Sequence, residues 1–181
     1  DRDDIKAIIG PLNNDHIETM ANVMYDKGIP MFVMTSSEDI VRRYSSGTAG
    51  VAIKKPFMWS LATTDITQSQ LILAKFTSMG IKKMSIISAS NKYGETFNRW
   101  IPYYANEMEL DIVDRVQYSS SNELENEMNK ICKSDTEVVI CALHNTDDVK
   151  TVLQTTKNNP NAPKVYFTGS ALNTALLNLG T

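Results

Sequence analysis

The residues best suited to chemistry in this sequence are small and mostly neutral. Thr35-Ser36-Ser37, the stretch Ser88 to Tyr93, His144 to Thr146 and Gly169 to Ala171 each follow an apolar run. Pro11 to Asp15, carrying Asn13 and Asn14, follows another. Hydroxyls, carboxamides, an imidazole and a phenol donate and accept hydrogen bonds without a fixed charge. Beside the unpaired N–H groups of a helix N-terminus, they suit a small polar or anionic ligand. Covalent chemistry finds little support. The sequence has no G-x-S-x-G elbow, no P-loop and no H-E-x-x-H. "SASNKYG" lacks the glycines of a dinucleotide fingerprint, and nothing points to a catalytic carboxylate pair. The expectation is therefore a binder, not an enzyme, with no cofactor and no metal. The two cysteines, Cys132 and Cys141, fit no metal or redox spacing and read as free thiols, one on a helix and one on a buried strand.

Each of these residues also has a plainer role open to it. Thr35 to Ser37 fits an ST-turn and the cap of a short helix. Tyr93 fits an aromatic that packs at a helix start. His144 fits a loop polar group, and His16 a solvent-facing one. Trp59 fits core or hinge packing as well as ligand stacking. Asp147 and Asp148 suit the first turn of a helix, where negative charge is favoured.

The elements that must carry these loops alternate. Short apolar runs read as strands at 6–10, 29–34, 57–62, 82–88, 111–118, 137–143 and 164–169. Helical spacing falls at about 16–27, with Ile17, Met20, Ala21, Val23 and Met24 on one face and Gly28 as its stop. It recurs at 65–79 (apolar face Ile66, Leu71, Leu73, Ala74, Phe76), 93–108, 121 onward and 146–157, and a last helix begins near 171. A capping box joins Asn122 and Glu125. Residues 38–57 show little periodic pattern. Strands that read as apolar on both faces, alternating with helices, predict an α/β fold with parallel sheets and helices on both faces. Right-handed crossovers bring the strand-to-helix loops to the carboxyl edge, where ligands bind in such sheets.

Bulk composition excludes several classes. The chain has 181 residues, net charge −3, 42% hydrophobic and 22% charged residues. Lys54-Lys55 and Lys82-Lys83 are isolated pairs, so no nucleic-acid footprint is expected. No apolar run reaches the length of a membrane span.

Six pieces in order, "IKAIIGP", "KGIPMFVMTSS", "WSLATTDITQSQ", "GIKKMSIISASNKYGETF", "EVVICALHNTDDVKTVLQ" and "VYFTGS", resemble the ligand-binding region of type I periplasmic binding proteins. The nearest branch is the branched-chain amino-acid (Leu/Ile/Val) binding proteins of ABC transporters. The resemblance implies two lobes: 1–57 as part of the first, 58–63 as the crossover or hinge, and 64–181 as part of the second. Members are longer, so the chain reads as a central portion. The resemblance implies ligand contacts from Asn14, from Thr35, Ser36 and Ser37, from Tyr93 closing over the ligand, from His144 as a second closing group, and from Ser170. Ser170 stands where members carry an acid that pairs with a ligand ammonium. A serine there does not neutralise a cation, which implies an uncharged or anionic ligand, or an acid supplied from the portion of the protein outside this chain.

The function this implies is solute binding for an ABC-type importer, by hinge closure around a small polar solute, amino-acid-like or a small carboxylate. The implied partners are that ligand and a membrane permease of an ABC transporter; no nucleic acid is implied, and the protein is expected to be a monomer. The implied location is periplasmic or at the cell surface, with a lipid anchor as one means of attachment. Two other classes use similar sheets: the sensing module of a receptor or transcriptional regulator, and a hydrolase or transferase on a flavodoxin-like sheet.

Overall fold

The structure is a computed structural model that describes residues 4–46, 56–143 and 145–169. His144 and Ser170, and the helix expected from 171, lie outside the described residues. The chain divides into two compact units, Asp1–Thr67 and Gln68–Thr181. Each holds a parallel sheet with helical connections, as the alternating pattern predicts.

The first unit contains β1 (Ile8–Ile9), α1 (Asn14–Lys27), β2 (Met31–Val33), α2 (Glu38–Ser46) and β3 (Met58–Ser60), and it includes the first turn of α3 (Asp65–Ser78). Its strands lie in the order β1-β2-β3, all parallel, with Met31 opposite both Ile8 and Met58. Asn13 caps α1 through its carboxamide oxygen, which accepts from the Asp15 and His16 amides. Gly28 ends it at φ 64°, a left-handed conformation that costs glycine nothing. The core comprises Ile17 and Ala21 from α1, Ile40 and Tyr44 from α2, and Met31, Val33, Phe57 and Met58.

Helix α2 corrects the expectation of an irregular segment after residue 37. Its isolated sequence offers only Ile40 and Tyr44 as buried apolar positions. That signal is too sparse for periodicity, yet one i,i+4 pair is enough when a sheet lies beneath it. The three strands of this unit are also shorter than the apolar runs that announce them, because a run marks burial and a ladder needs a partner.

The second unit contains the rest of α3, then β4 (Lys83–Ala89), α4 (Lys92–Glu107), β5 (Asp111–Tyr118), α5 (Ser121–Ile131), β6 (Val138–Ala142), α6 (Thr146–Lys157) and β7 (Lys164–Phe167). The strand order is β5-β4-β6-β7, again all parallel. Alternation along β4 and β6 splits the core in two. Met84, Ile86, Val138, Ile140 and Ala142 meet Leu73 and Phe76 of α3 and Phe97, Ile101 and Ala105 of α4. Ile87, Val139 and Cys141 meet Leu124 and Met128 of α5 and Val149 and Val152 of α6.

Four details differ from the sequence reading. On α3 the buried apolar residues are Leu73 and Phe76, while Leu71 is exposed, because two helices share that face and leave it a narrow buried stripe. Strand β5 is not apolar on both faces: it is an edge strand whose exposure alternates, with a register shift opposite Met84 to Ile86. The capping box of α5 lies two residues earlier than expected. Ser120 accepts from the Glu123 amide, and the Glu123 carboxylate accepts from the Ser119 amide. Trp59 is not core; it stacks on Phe32 with ring centroids 5.5 Å apart and stays 42% exposed.

Pro102 sits inside α4 and removes one amide from the helix ladder. The carbonyl it would have served is that of Asn98. Arg115 of β5 donates to that carbonyl at 2.9 Å, and its Nε donates to the Asn98 side-chain oxygen. A helix defect thus becomes the attachment point between α4 and the edge strand.

Candidate functional site

In the first unit the loops after β1 and β2 meet at the carboxyl edge. Thr35 Oγ1 donates to the Asn14 side-chain oxygen at 2.7 Å and accepts from the Ser37 amide at 2.9 Å. Ser60 donates to the Thr35 carbonyl at 2.6 Å. Thr35 is buried, and its hydroxyl is used in both directions, so it fixes the loop. Ser37 Oγ accepts from the Ile40 amide at the start of α2, which leaves its own proton to donate. Ser36 is half-buried; its carbonyl accepts from the Asp65 amide at 2.7 Å, and its hydroxyl makes no hydrogen bond to another described residue. Asn14, Thr35, Ser36 and Ser37 therefore form one cluster, in which Ser36 and Ser37 have hydrogen-bonding capacity left.

Asp65 is the group the sequence reading passed over. In the sequence it stands only as the first residue of the 65–79 helix. It is fully buried, and its Oδ1 accepts from the Glu38 and Ile66 amides. It ties the first turn of α3 to the Ser36–Glu38 bend. An aspartate at a helix start gives no sign in sequence that it serves a bend 27 residues away.

In the second unit the loop after β4 is shaped by Asn91 and Gly94. Asn91 caps α4 by accepting from the Gly94 amide at 2.9 Å. A β-carbon on Gly94 would lie 2.0 Å from the Ala89 carbonyl oxygen. The glycine after Tyr93 is therefore a packing requirement where the helix starts against its own strand. Tyr93 is half-buried, packs edge-on against Phe97 with centroids 5.0 Å apart, and donates from its hydroxyl to Thr168 Oγ1 at 2.8 Å. Thr168 follows β7, so Tyr93 links two loops of this rim.

Beside it lies a pocket of about 290 Å³, lined by Ser90, Asn91, Ser119, Ser121, Asn145 and Asp148 among others. Asp148, 3% exposed, accepts from the Tyr118 hydroxyl at 2.7 Å and the Ser121 hydroxyl at 3.2 Å. Its amide donates to Asn145, the cap of α6. The first-turn reading of Asp148 is thus incomplete, since it also organises the loop after β5. Residues 119–121 are an addition to the rim expected from sequence. The signal is there: "SSSN" directly follows the 111–118 strand, as the other rim loops follow theirs.

Both cysteines are free and buried, and burial raises both thiol pKa values. Among the described residues no group of three or more His, Cys, Asp or Glu is placed to hold a metal ion. None of their helices is long and apolar enough to cross a membrane.

A family model described as periplasmic binding protein matches residues 1–181, and the chain belongs to that family. Comparison with curated proteins gives no match. Among solved structures, the chain is similar to an ABC-transporter solute-binding protein from R. palustris in complex with benzoate. The TM-score is 0.79 at 12% identity, over 97% of this chain and 46% of that one. It is also similar to an ABC-transporter substrate-binding protein from Desulfitobacterium hafniense in complex with Leu (TM-score 0.72, 18% identity, 91% of this chain and 47% of that one). A third is a solute-binding protein from Rhodopseudomonas palustris BisB5 in complex with 3,4-dihydroxy benzoic acid (TM-score 0.75, 15% identity, 95% and 45%). The chain thus spans less than half the length of each of these solved relatives.

Proposed function

We propose that the chain is part of a solute-binding protein of an ABC-type importer, taking a small polar solute between two lobes that close about a hinge. In this reading the two compact units belong to different lobes, and the chain crosses over residues 58–63 and the first turn of α3. The observation that carries the reading is the shared placement of the two clusters. The Asn14–Ser37 cluster and the Tyr93 loop each stand at the carboxyl ends of parallel strands, each in a separate unit of a chain that belongs to this family.

The roles then follow from hydrogen-bonding capacity. Thr35 and Asn14 brace the first-lobe loop. Ser36 and Ser37 offer hydroxyls to the solute. Tyr93 closes from the second lobe, exchanging its bond to Thr168 for one to the solute, with His144 and Ser170 as further contacts. Closure removes water from these bonds, and the solute shifts the open–closed population by its differential affinity for the closed form. A membrane permease takes the closed form as its partner, which places the protein outside the cytoplasm.

The relatives that bind Leu and aromatic carboxylates define the first compounds to try. Thermal-shift measurements on the complete polypeptide, with amino acids, benzoates and other small polar solutes, are expected to raise the midpoint for at least one class by mass action. Ser36→Ala and Tyr93→Phe are expected to reduce that rise while leaving the ligand-free midpoint within a few degrees. A screen in which no such solute moves the midpoint sinks the proposal.

A further inference from the structure

The pocket of about 290 Å³ in the second unit holds a buried acid without a counter-ion. Three loops build it: Ser90 and Asn91 after β4, Ser119 to Ser121 after β5, and Asn145 with Asp148 at the start of α6. The Ser90 amide donates to the Tyr118 carbonyl at 2.8 Å and ties the first two loops together. Asp148 is 3% exposed and stands in the pocket wall. An aspartate buried to that degree is ordinarily paired with a cation or a metal. Among the described residues Asp148 has no such partner, and its oxygens accept from the Tyr118 and Ser121 hydroxyls. No described Lys, Arg or His lines the pocket. The α6 N-terminus offsets only part of the charge.

The hydrogen-bonding capacity that remains decides what suits this pocket. A carboxylate offers about four acceptor positions. The two hydroxyls fill one on each oxygen and hold the side chain in one orientation. The Ser121 oxygen, its proton given to Asp148, keeps lone pairs for a further donor. The helix ends at the mouth are capped: the Asn91, Ser120 and Asn145 side chains accept from the Gly94, Glu123 and Asp148 amides. An anion entering here meets a carboxylate, capped helices and no basic side chain. A group that brings N–H donors and a positive charge meets acceptors, in a recess where partial exclusion of water strengthens the attraction.

We propose that this pocket takes a protonated amine, with Asp148 as its counter-ion and the Ser121 oxygen as a second acceptor. The inference names the chemical class of the solute and so rests on the reading given above. The countercharge then lies within this chain, on the first turn of α6, and not at position 170, where a serine brings none.

The test is a titration of the complete polypeptide with n-butylammonium, n-butanol and butyrate at one ionic strength, followed by two-dimensional amide NMR. The three probes share a carbon skeleton and differ in charge. The expected result is a saturable shift of the Ser90, Ser119 and Asn145 amides with n-butylammonium, and no comparable shift with the other two. Asp148→Asn should weaken that binding by about tenfold or more, since a hydrogen-bonded charge is lost. Asp148 also braces two loops, so a second variant leaves it in place. Ser119→Lys, at an exposed position, sets an ammonium at the pocket mouth and should block the amine while the protein stays folded. The absence of a saturable shift with n-butylammonium overturns the proposal, as does an equal response to butanol or butyrate, or undiminished amine binding by both variants. The two readings fail separately. A solute that raises the thermal midpoint but binds Asp148→Asn as tightly as the parent overturns this assignment and leaves solute binding standing. If no solute moves the midpoint, solute binding falls, and a saturable, Asp148-dependent shift with n-butylammonium still supports the amine site.

Discussion

Single residues decide whether the rim loops hold their shape. Gly94→Ala gains about 1 kcal/mol of helix propensity. It also drives a methyl into the Ala89 carbonyl, and overpacking against backbone costs about 3 kcal/mol or more. The net loss should appear as a lower urea midpoint at unchanged slope. Thr35→Val keeps the shape of the side chain but removes a hydroxyl used as donor and acceptor. It should cost about 1–3 kcal/mol by the same measurement, because the Asn14 oxygen and the Ser37 amide lose their partner. The buried thiols give a cleaner readout. Cys132 and Cys141 should resist a disulfide reagent at pH 8 in the native protein and both react after unfolding, since burial keeps them protonated as well as hidden.

Between elements, the attachment of α4 to β5 is the most specific construction. Arg115 serves a carbonyl that Pro102 leaves without its helical donor. Arg115→Leu should cost about 2 kcal/mol by leaving that carbonyl unpaired. Pro102→Ala restores a competing amide, so the Arg115 substitution should cost less in that background, and a double-mutant cycle measures the difference. At the opposite end of the sheet, Glu137 gathers β4 and β6. Its carboxylate accepts from the Lys82 and Lys83 amides at 2.8 Å, and these bonds hold its pKa below the usual 4.5. The folded state therefore binds that proton less readily than the unfolded chain. Its contribution is complete above about pH 4.5 and fades as pH falls through the lower, folded value. Glu137→Gln should lower stability at neutral pH, where the carboxylate's contribution is complete, and the difference from the parent should shrink as pH falls through the folded value, which flattens the acid limb of the stability–pH curve.

For the molecule as a whole, the two units differ in what their sheets can hold without help. The strands β4 and β6 are flanked on both edges and covered on both faces, so their amides should exchange slowest. The strands β1 to β3 are two or three residues long and covered on one face, and in the chain of residues 1–181 their amides should exchange markedly faster. Binding by hinge closure is a property of this scale too, and the thermal shift with solute is its measure.

The sequence by itself determined the alternation of strands and helices, and with it the parallel sheets and the edge at which the rim loops stand. Those follow from local signals: apolar runs and stops such as Gly28. Resemblance over six ordered pieces determined the family. Only the tertiary structure decided which rim groups are already spent. Thr35 bonds Asn14, Tyr93 bonds Thr168 and Asp148 bonds Tyr118, each across 21 residues or more. It also decided that α2 is a helix, that Trp59 stays partly exposed against Phe32 and that Asp65 serves a distant bend. The reason is common to all of these. A residue's own neighbours along the chain set its backbone preference, whereas the fate of its polar atoms and the burial of its apolar face depend on partners that folding brings from elsewhere.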